Sequence, residues 1–405
     1  MIDGRADSAG RAWVGGGGFG RPLPQGGADY VMAMSDAKVG VMGCGVVAGY
    51  GHLPALRDTA GVQPWALYDP NLAAVEAMAR RYDIPAERAF TDESAFFDSG
   101  LDGVLVSSPA PAHEANVLAA VGRGLPVLCE KPLAMDRAQG LRMIAAAEAA
   151  TPADHVAARV VEDGGQEQAA GSGSDRGMGG VPLYVAFCYR FSPASLRIKQ
   201  LVAEGAIGEL RSMRLIYNWD CHGKYLDRDP AKGLAPHRDG RMREGGPMVD
   251  CGTHQIDLAQ WWADSPVVEV SGHGAWADSY QAPDHCWAQL THGNGCHTSV
   301  EMSYSYGHTV AEPLSVFTYE LIGSEGLILY DRNYSRFELR DARGTHRQTY
   351  HEEKGFHEMY AALAEALRTG RPGHLPTARE GLAVTEVAVE ANQQAIRGRR
   401  QATAG

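Results

Sequence analysis

Lys38-Val39-Gly40-Val41-Met42-Gly43-Cys44-Gly45-Val46-Val47-Ala48 decides how the first part of this chain folds. Residues 38–42 are a short β-type run, a glycine turn follows, and a helical pattern continues through Leu56. That order leaves unpaired helix N–H groups at the turn, where an anion such as a pyrophosphate is stabilised. Gly43 permits the tight turn and Gly45 lets the backbone approach the phosphates. Val46 and Val47 open the helix beside them, and Ala48 stands where a third glycine would let helix and strand pack closely. The next strand, Gln63 to Tyr68, ends in Asp69, about twenty residues on as the dinucleotide fingerprint requires. A carboxylate there accepts from ribose hydroxyls and repels a 2′-phosphate. Pro70 and Asn71 bring no arginine to offset it, so NAD is favoured over NADP.

Working outward, strands and helices alternate. A helix spans Leu72 to Tyr82, Ala89-Phe90 is a short strand, Gly103 to Val106 a fourth, His113 to Val121 a helix, and Pro126 to Cys129 a fifth strand. Such alternation implies a parallel, doubly wound α/β domain, closed by an alanine-rich helix from Asp136 to Ala150. Residues 151–181, with Gly171-Ser172-Gly173-Ser174, read as an exposed insertion. A second, α+β domain over 182–405 follows. Its elements are a strand at Tyr184 to Tyr189, helices at Pro193 to Glu204 and Pro247 to Trp262, a strand at Glu209 to Trp219, and an open, mostly antiparallel sheet between Val267 and Thr349. Two closing helices run from about Phe356 to Arg368 and Ala378 to Gln394. The domains are thus 37–150 and 182–405, with residues 1–36 a glycine-rich tail lacking apolar periodicity. Met34, just before the first strand, is the expected translation start.

Bulk properties narrow the function. At 405 residues two domains are expected. A net charge of −12 argues against a nucleic-acid or acidic-membrane surface. The seven cysteines contain no Cys-x-x-Cys pair, which reads as free thiols in a reducing cytoplasm. Cys221-His222, His285-Cys286, Cys296-His297 and Cys251-x-x-His254 lack close zinc-ligand spacing, so no metal is expected.

Three further stretches carry chemistry. Ser107-Ser108-Pro109, with His113, sits at the fourth strand's end, where ligands bind in such sheets; the residues suit either cofactor contact or a turn and cap. Cys129-Glu130-Lys131-Pro132 ends the fifth strand in an acid and a base. In isolation it is a surface ion pair; at a cofactor edge Lys131 can hold an ammonium against an alkoxide. Gly245-Gly246-Pro247 opens a helix on which Asp250, His254 and Asp257 fall along one face. Histidine titrates near neutrality and suits removal of a hydroxyl proton, with a neighbouring carboxylate to orient it.

Together these motifs resemble the Gfo/Idh/MocA family of NAD(P)-dependent oxidoreductases, which includes glucose–fructose oxidoreductase and inositol dehydrogenase. The resemblance rests on Gly43-x-Gly45-x-x-Ala48, Ser108-Pro109 with His113, Cys129-Glu130-Lys131-Pro132, Tyr189-Arg190-Phe191-x-Pro193 and Gly245-Gly246…Asp250-x-x-x-His254-x-x-Asp257. It implies a Rossmann domain followed by a domain with an open antiparallel sheet that often serves oligomerisation, here as a homodimer or homotetramer. It gives Lys131 and His254 the catalytic roles, with Asp250 assisting and Asp69 reading the ribose; Glu130, beside Lys131, is expected at the cofactor end. Arg190, Asn218, Trp219, His237 and Asp250 are then the expected substrate contacts. The implied reaction is hydride transfer between a sugar or polyol hydroxyl and NAD. Two other readings stand beside it: glycoside cleavage through transient oxidation without net NADH release, and a non-enzymatic dinucleotide-binding regulator.

Overall fold

The structure, a computed structural model, describes residues 35–160, 180–221, 236–277, 279–307, 310–312, 314–350 and 354–404, with backbone alone for 236–239 and 402–404. The glycine-rich tail with Met34, residues 161–179 of the expected insertion, and 222–235 of the polar loop lie outside the described residues.

The first sheet is built from β1 (Ala37–Met42), β2 (Val62–Tyr68), β3 (Ala89–Phe90), β4 (Gly103–Val106), β5 (Val127–Cys129) and β6 (Leu183–Val185). Its order is β3-β2-β1-β4-β5-β6, and every pair is parallel. The crossovers are α1 (Leu53–Asp58), α2 (Leu72–Arg81), α3 (Glu93–Phe97), α4 (His113–Val121) and α5 (Arg137–Ala149), with the short α6 (Asp154–Ala157) after them. β4 and β5 are buried at every position, because helices cover both faces of a parallel sheet. The strand expected to begin the second domain is β6. It is equally buried along its length and pairs with β5, so it completes the first sheet, and residues 182–185 belong with the residues before them.

After α7 (Pro193–Ala203) comes β7 (Leu210–Asn218), then α8 (Pro236–Arg243) and α9 (Thr253–Ala263). A wider π-helical turn, Met248–Gly252, leads into α9, where a uniform α-helix had been predicted. β8 (Val267–Ala275), β9 (His285–His292), β10 (His297–Ser303), β11 (Val316–Gly323), β12 (Gly326–Asp331), β13 (Arg336–Asp341) and β14 (Gly344–Gln348) complete an eight-stranded open sheet. Its order is β14-β13-β12-β11-β7-β10-β9-β8, antiparallel except for the β7–β10 pair. β9 and β11 alternate buried with partly exposed residues, the mark of a sheet covered on one face.

Two closing helices tie the sheets together. α10 (Phe356–Thr369) packs on α1 and β2, and α11 (Ala378–Ala404) packs on β8, α5 and β6. α11 runs ten residues past the predicted end at Gln394, and its buried face continues only to Ala395.

Candidate active site

The glycine turn has the shape that phosphate binding needs. Gly43 takes φ 100°, and a Cβ there would stand 2.6 Å from the Ser108 amide nitrogen, so only glycine fits. A Cβ on Gly45 would meet nothing within 4 Å and would project into open space. Gly45 lines a cavity of about 510 Å³, together with Val46, Asp69, Ser107, Ser108 and Pro109. Asp69 is fixed at its edge by accepting from the Cys44 amide at 2.9 Å and the Asn71 amide at 2.9 Å. The Ser107 hydroxyl is buried there with no hydrogen-bond partner among the described residues. The open space before Gly45, a fixed carboxylate and an unsatisfied hydroxyl fit a dinucleotide such as NAD.

His113 lines the same cavity but is buried, and its ring is used inside the protein. Nδ1 faces the Pro132 carbonyl and Nε2 the Ser108 carbonyl, each at 2.9 Å. Burial holds its pKa below the ordinary histidine value. The residue predicted as a cofactor contact therefore ties the ends of β4 and β5 together.

Glu130 and Lys131 follow β5 and line both this cavity and a second of about 580 Å³. Val46, Val47 and Arg241 are the other shared walls. Glu130 accepts from His52 Nε2 at 2.8 Å and from the Lys131 amide at 3.1 Å; His52 Nδ1 in turn meets the Tyr360 hydroxyl at 2.8 Å. Burial alone would raise the Glu130 pKa, but the His52 hydrogen bond and nearby cations lower it to about 2. Lys131 Nζ donates to the Asp250 carbonyl and to Asp250 Oδ1, each at 2.7 Å. Burial opposes its charge, but Asp250 outweighs that and holds the ammonium pKa above the ordinary lysine value. Two of its three N–H donors are thus engaged, and the third remains for a ligand oxygen.

The expected carboxylate orienting His254 is elsewhere. Besides Lys131, the Asp250 carboxylate accepts from Arg241 and from the Tyr304 hydroxyl, and its pKa is held far below the usual range despite burial. The π turn at Met248–Gly252 displaces Asp250 from a simple four-residue alignment with His254. His254 is held by rings instead, with Tyr189 at 4.8 Å and Phe187 at 5.9 Å between centroids. It lines the larger cavity, while its Nδ1 is buried without a partner among the described residues. Burial, then the Lys131 and Lys354 ammoniums, lower its pKa well below 6.5, so the ring is neutral at pH 7.

Two of the expected substrate contacts, Arg190 and Asn218, line neither cavity. Arg190 is buried and bidentate to Asp257 at 2.7 and 2.8 Å, with Glu380 at 3.1 Å, so it braces α9 against α11 and does not line either cavity. Asp257 consequently has no part with Asp250 and His254. Asn218 is buried and donates to Glu301 at 2.7 Å. Only Trp219, stacked on Tyr217 at 6.0 Å, lines the larger cavity; the His237 side chain lies outside the described residues. Conversely, no motif pointed to His52, Arg241, Tyr304 or Lys354, which lie far apart in the sequence.

Residues 37–156 match the family described as "Oxidoreductase family, NAD-binding Rossmann fold", and residues 195–329 match the "GFO/IDH/MocA C-terminal domain". The chain belongs to the Gfo/Idh/MocA family. Among curated Gfo/Idh/MocA relatives, an inositol 2-dehydrogenase of Corynebacterium glutamicum is 28% identical over 235 residues, 58% of this chain and 56% of the relative. The chain thus spans little more than half the length of such relatives. The scyllo-inositol 2-dehydrogenase (NAD(+)) of Bacillus subtilis is 24% identical, with 82% of this chain and 87% of the relative covered. An oxidoreductase domain protein from Kribbella flavida shares the fold at TM-score 0.69 and 22% identity, over 90% of this chain and 98% of that structure.

Proposed function

We propose that this protein is an NAD-dependent dehydrogenase that oxidises a hydroxyl of a sugar or polyol, or runs the reverse reduction. The observation that carries the reading is Lys131, a permanently charged ammonium on the wall shared by the two cavities, with a neutral His254 lining the larger one. The names of similar proteins, inositol 2-dehydrogenases and a D-apiose dehydrogenase, point to the same substrate class.

NAD, when bound along Gly43, Gly45, Asp69 and Ser108, supplies the hydride acceptor. Asp69 holds the ribose hydroxyls and disfavours a 2′-phosphate. The free N–H of Lys131 Nζ donates to the reacting hydroxyl oxygen and lowers the energy of its alkoxide. His254 accepts the hydroxyl proton at Nε2, because Nδ1 is turned into the protein and the ring is neutral. Asp250 keeps Lys131 charged and aimed, and Glu130, fixed by His52, closes the cofactor side. The stacked Tyr217 and Trp219 offer ring faces to a sugar.

NAD-reduction assays over inositols, hexoses, apiose and sugar acids test the reading, with Lys131→Met and His254→Ala as controls. Turnover that survives both substitutions refutes it. Self-association through the uncovered face of the eight-stranded sheet is part of the proposal. A monomeric mass in solution would refute that part.

A further inference from the structure

Among the described residues, Lys131, Arg241, Arg332 and Lys354 line the larger cavity together with the carboxylate of Glu130. Lys131 and Arg241 are bound to Asp250, and Glu130 is bound to His52. Arg332 lies over the Phe317 ring at 4.1 Å.

Lys354 is different. Its Nζ donates to the Tyr50 hydroxyl at 2.9 Å and stands 5.3 and 5.7 Å from the rings of Tyr50 and Tyr189. Among the described residues no carboxylate pairs with it. Burial opposes its charge, but Cys188 and Tyr50 more than compensate, so the pKa stays above the ordinary lysine value. Lys354 is half-buried at the cavity wall, and from the described residues its ammonium gains only a neutral hydroxyl and ring faces. One N–H is used by Tyr50, which leaves two for a ligand. Lys354 lines the same cavity as His254.

We infer that Lys354 is an anion-recognising residue, and that the hydroxyl compound taken by this cavity carries a carboxylate or a phosphate ester. The inference rests on the dehydrogenase reading of the same site. A neutral polyol would leave the half-buried Lys354 ammonium without a charged partner among the described residues. An anionic one supplies a charge-assisted hydrogen bond to it, an interaction formed equally in ground and transition states and therefore expressed in KM.

The test compares D-glucose with D-glucuronate and D-glucose 6-phosphate, and D-galactose with D-galacturonate, in the wild type, Lys354→Met and Lys354→Arg. Wild-type kcat/KM should favour a charged member over its neutral parent by about tenfold or more, and the two anions separate a carboxylate site from a phosphate site. In Lys354→Met this selectivity ratio should fall about tenfold to hundredfold through KM, while Lys354→Arg keeps most of it. Calorimetric titration of the same anions into NAD-loaded protein is read beside turnover. Anion binding that depends on Lys354 without turnover of any sugar sinks the dehydrogenase reading and sustains the anion site. A wild type that prefers neutral sugars, a ratio unchanged in Lys354→Met, or no anion binding in either assay overturns the inference. Should Lys354→Met melt early, Lys354→Gln carries the same comparison.

Discussion

Lys131 Nζ lies 2.7 Å from both the main-chain carbonyl and Oδ1 of Asp250, two residues 119 positions apart in the chain. This contact joins the residues just after β5 to the π-helical turn that leads into α9. It leaves Lys131 charged, oriented and one N–H short of saturation.

Lys131→Met should therefore lower kcat by about 10²–10³-fold while the NAD dissociation constant changes little, because the aliphatic stem remains at the cofactor wall. Asp250→Asn should lower kcat less, since the carbonyl contact to Lys131 survives. Stopped-flow hydride transfer and NAD fluorescence titration read the two effects separately. Equal losses of NAD binding and turnover in Lys131→Met would assign it to the cofactor alone.

The neutral state of His254 sets a pH dependence. Its folded pKa is depressed, so the base form is present at and above neutrality and is lost only as pH falls through that lowered value. The acid limb of kcat/KM for oxidation should accordingly be centred below 6.5. His254→Gln should remove the limb and cost about 10²–10⁴-fold in rate. A limb centred at or above 6.5 in the wild type would contradict the buried, neutral ring.

Gly45 and Gly43 should separate binding from folding. Gly45→Ala adds a methyl to open space, so the thermal midpoint should hold while NAD affinity falls. Gly43→Ala forces a Cβ at positive φ to within 2.6 Å of Ser108 N and should cost about 1–3 kcal/mol of stability. Thermal melts with and without NAD distinguish them. A Gly45→Ala protein with wild-type NAD affinity would remove the cradle from the cofactor site.

Arg190→Leu should act on stability rather than on substrate. It strips Asp257 of its bidentate partner inside the protein and should cost about 3–5 kcal/mol in urea unfolding. Enzyme that remains folded should keep its KM for the sugar. A raised KM with unchanged stability would restore the substrate role first expected of this residue.

What the sequence determined by itself is local. Strand, glycine turn and helix at Lys38 to Ala48, the acid at Asp69 and the alternation through Cys129 were legible because each depends on backbone freedom, burial period or a fixed short spacing. Lys131 and His254 were legible as candidates because their motifs stand at element ends. What tertiary structure decided is which charges meet. Asp250, His254 and Asp257 share a spacing that suggests one face, yet the π turn and the opposing Lys131 and Arg190 divide them into a site and a brace. Parallel pairing gave β6 to the first sheet, since hydrogen bonding to β5 and burial on both faces outweigh its position after the insertion. His113 and Arg190 look functional as letters, and both have their polar atoms bonded within the protein, because a polar side chain's role depends on what burial leaves it to bond. Lys354 carries no motif; only the cavity, whose carboxylate among the described residues, Glu130, is bound to His52, singles it out.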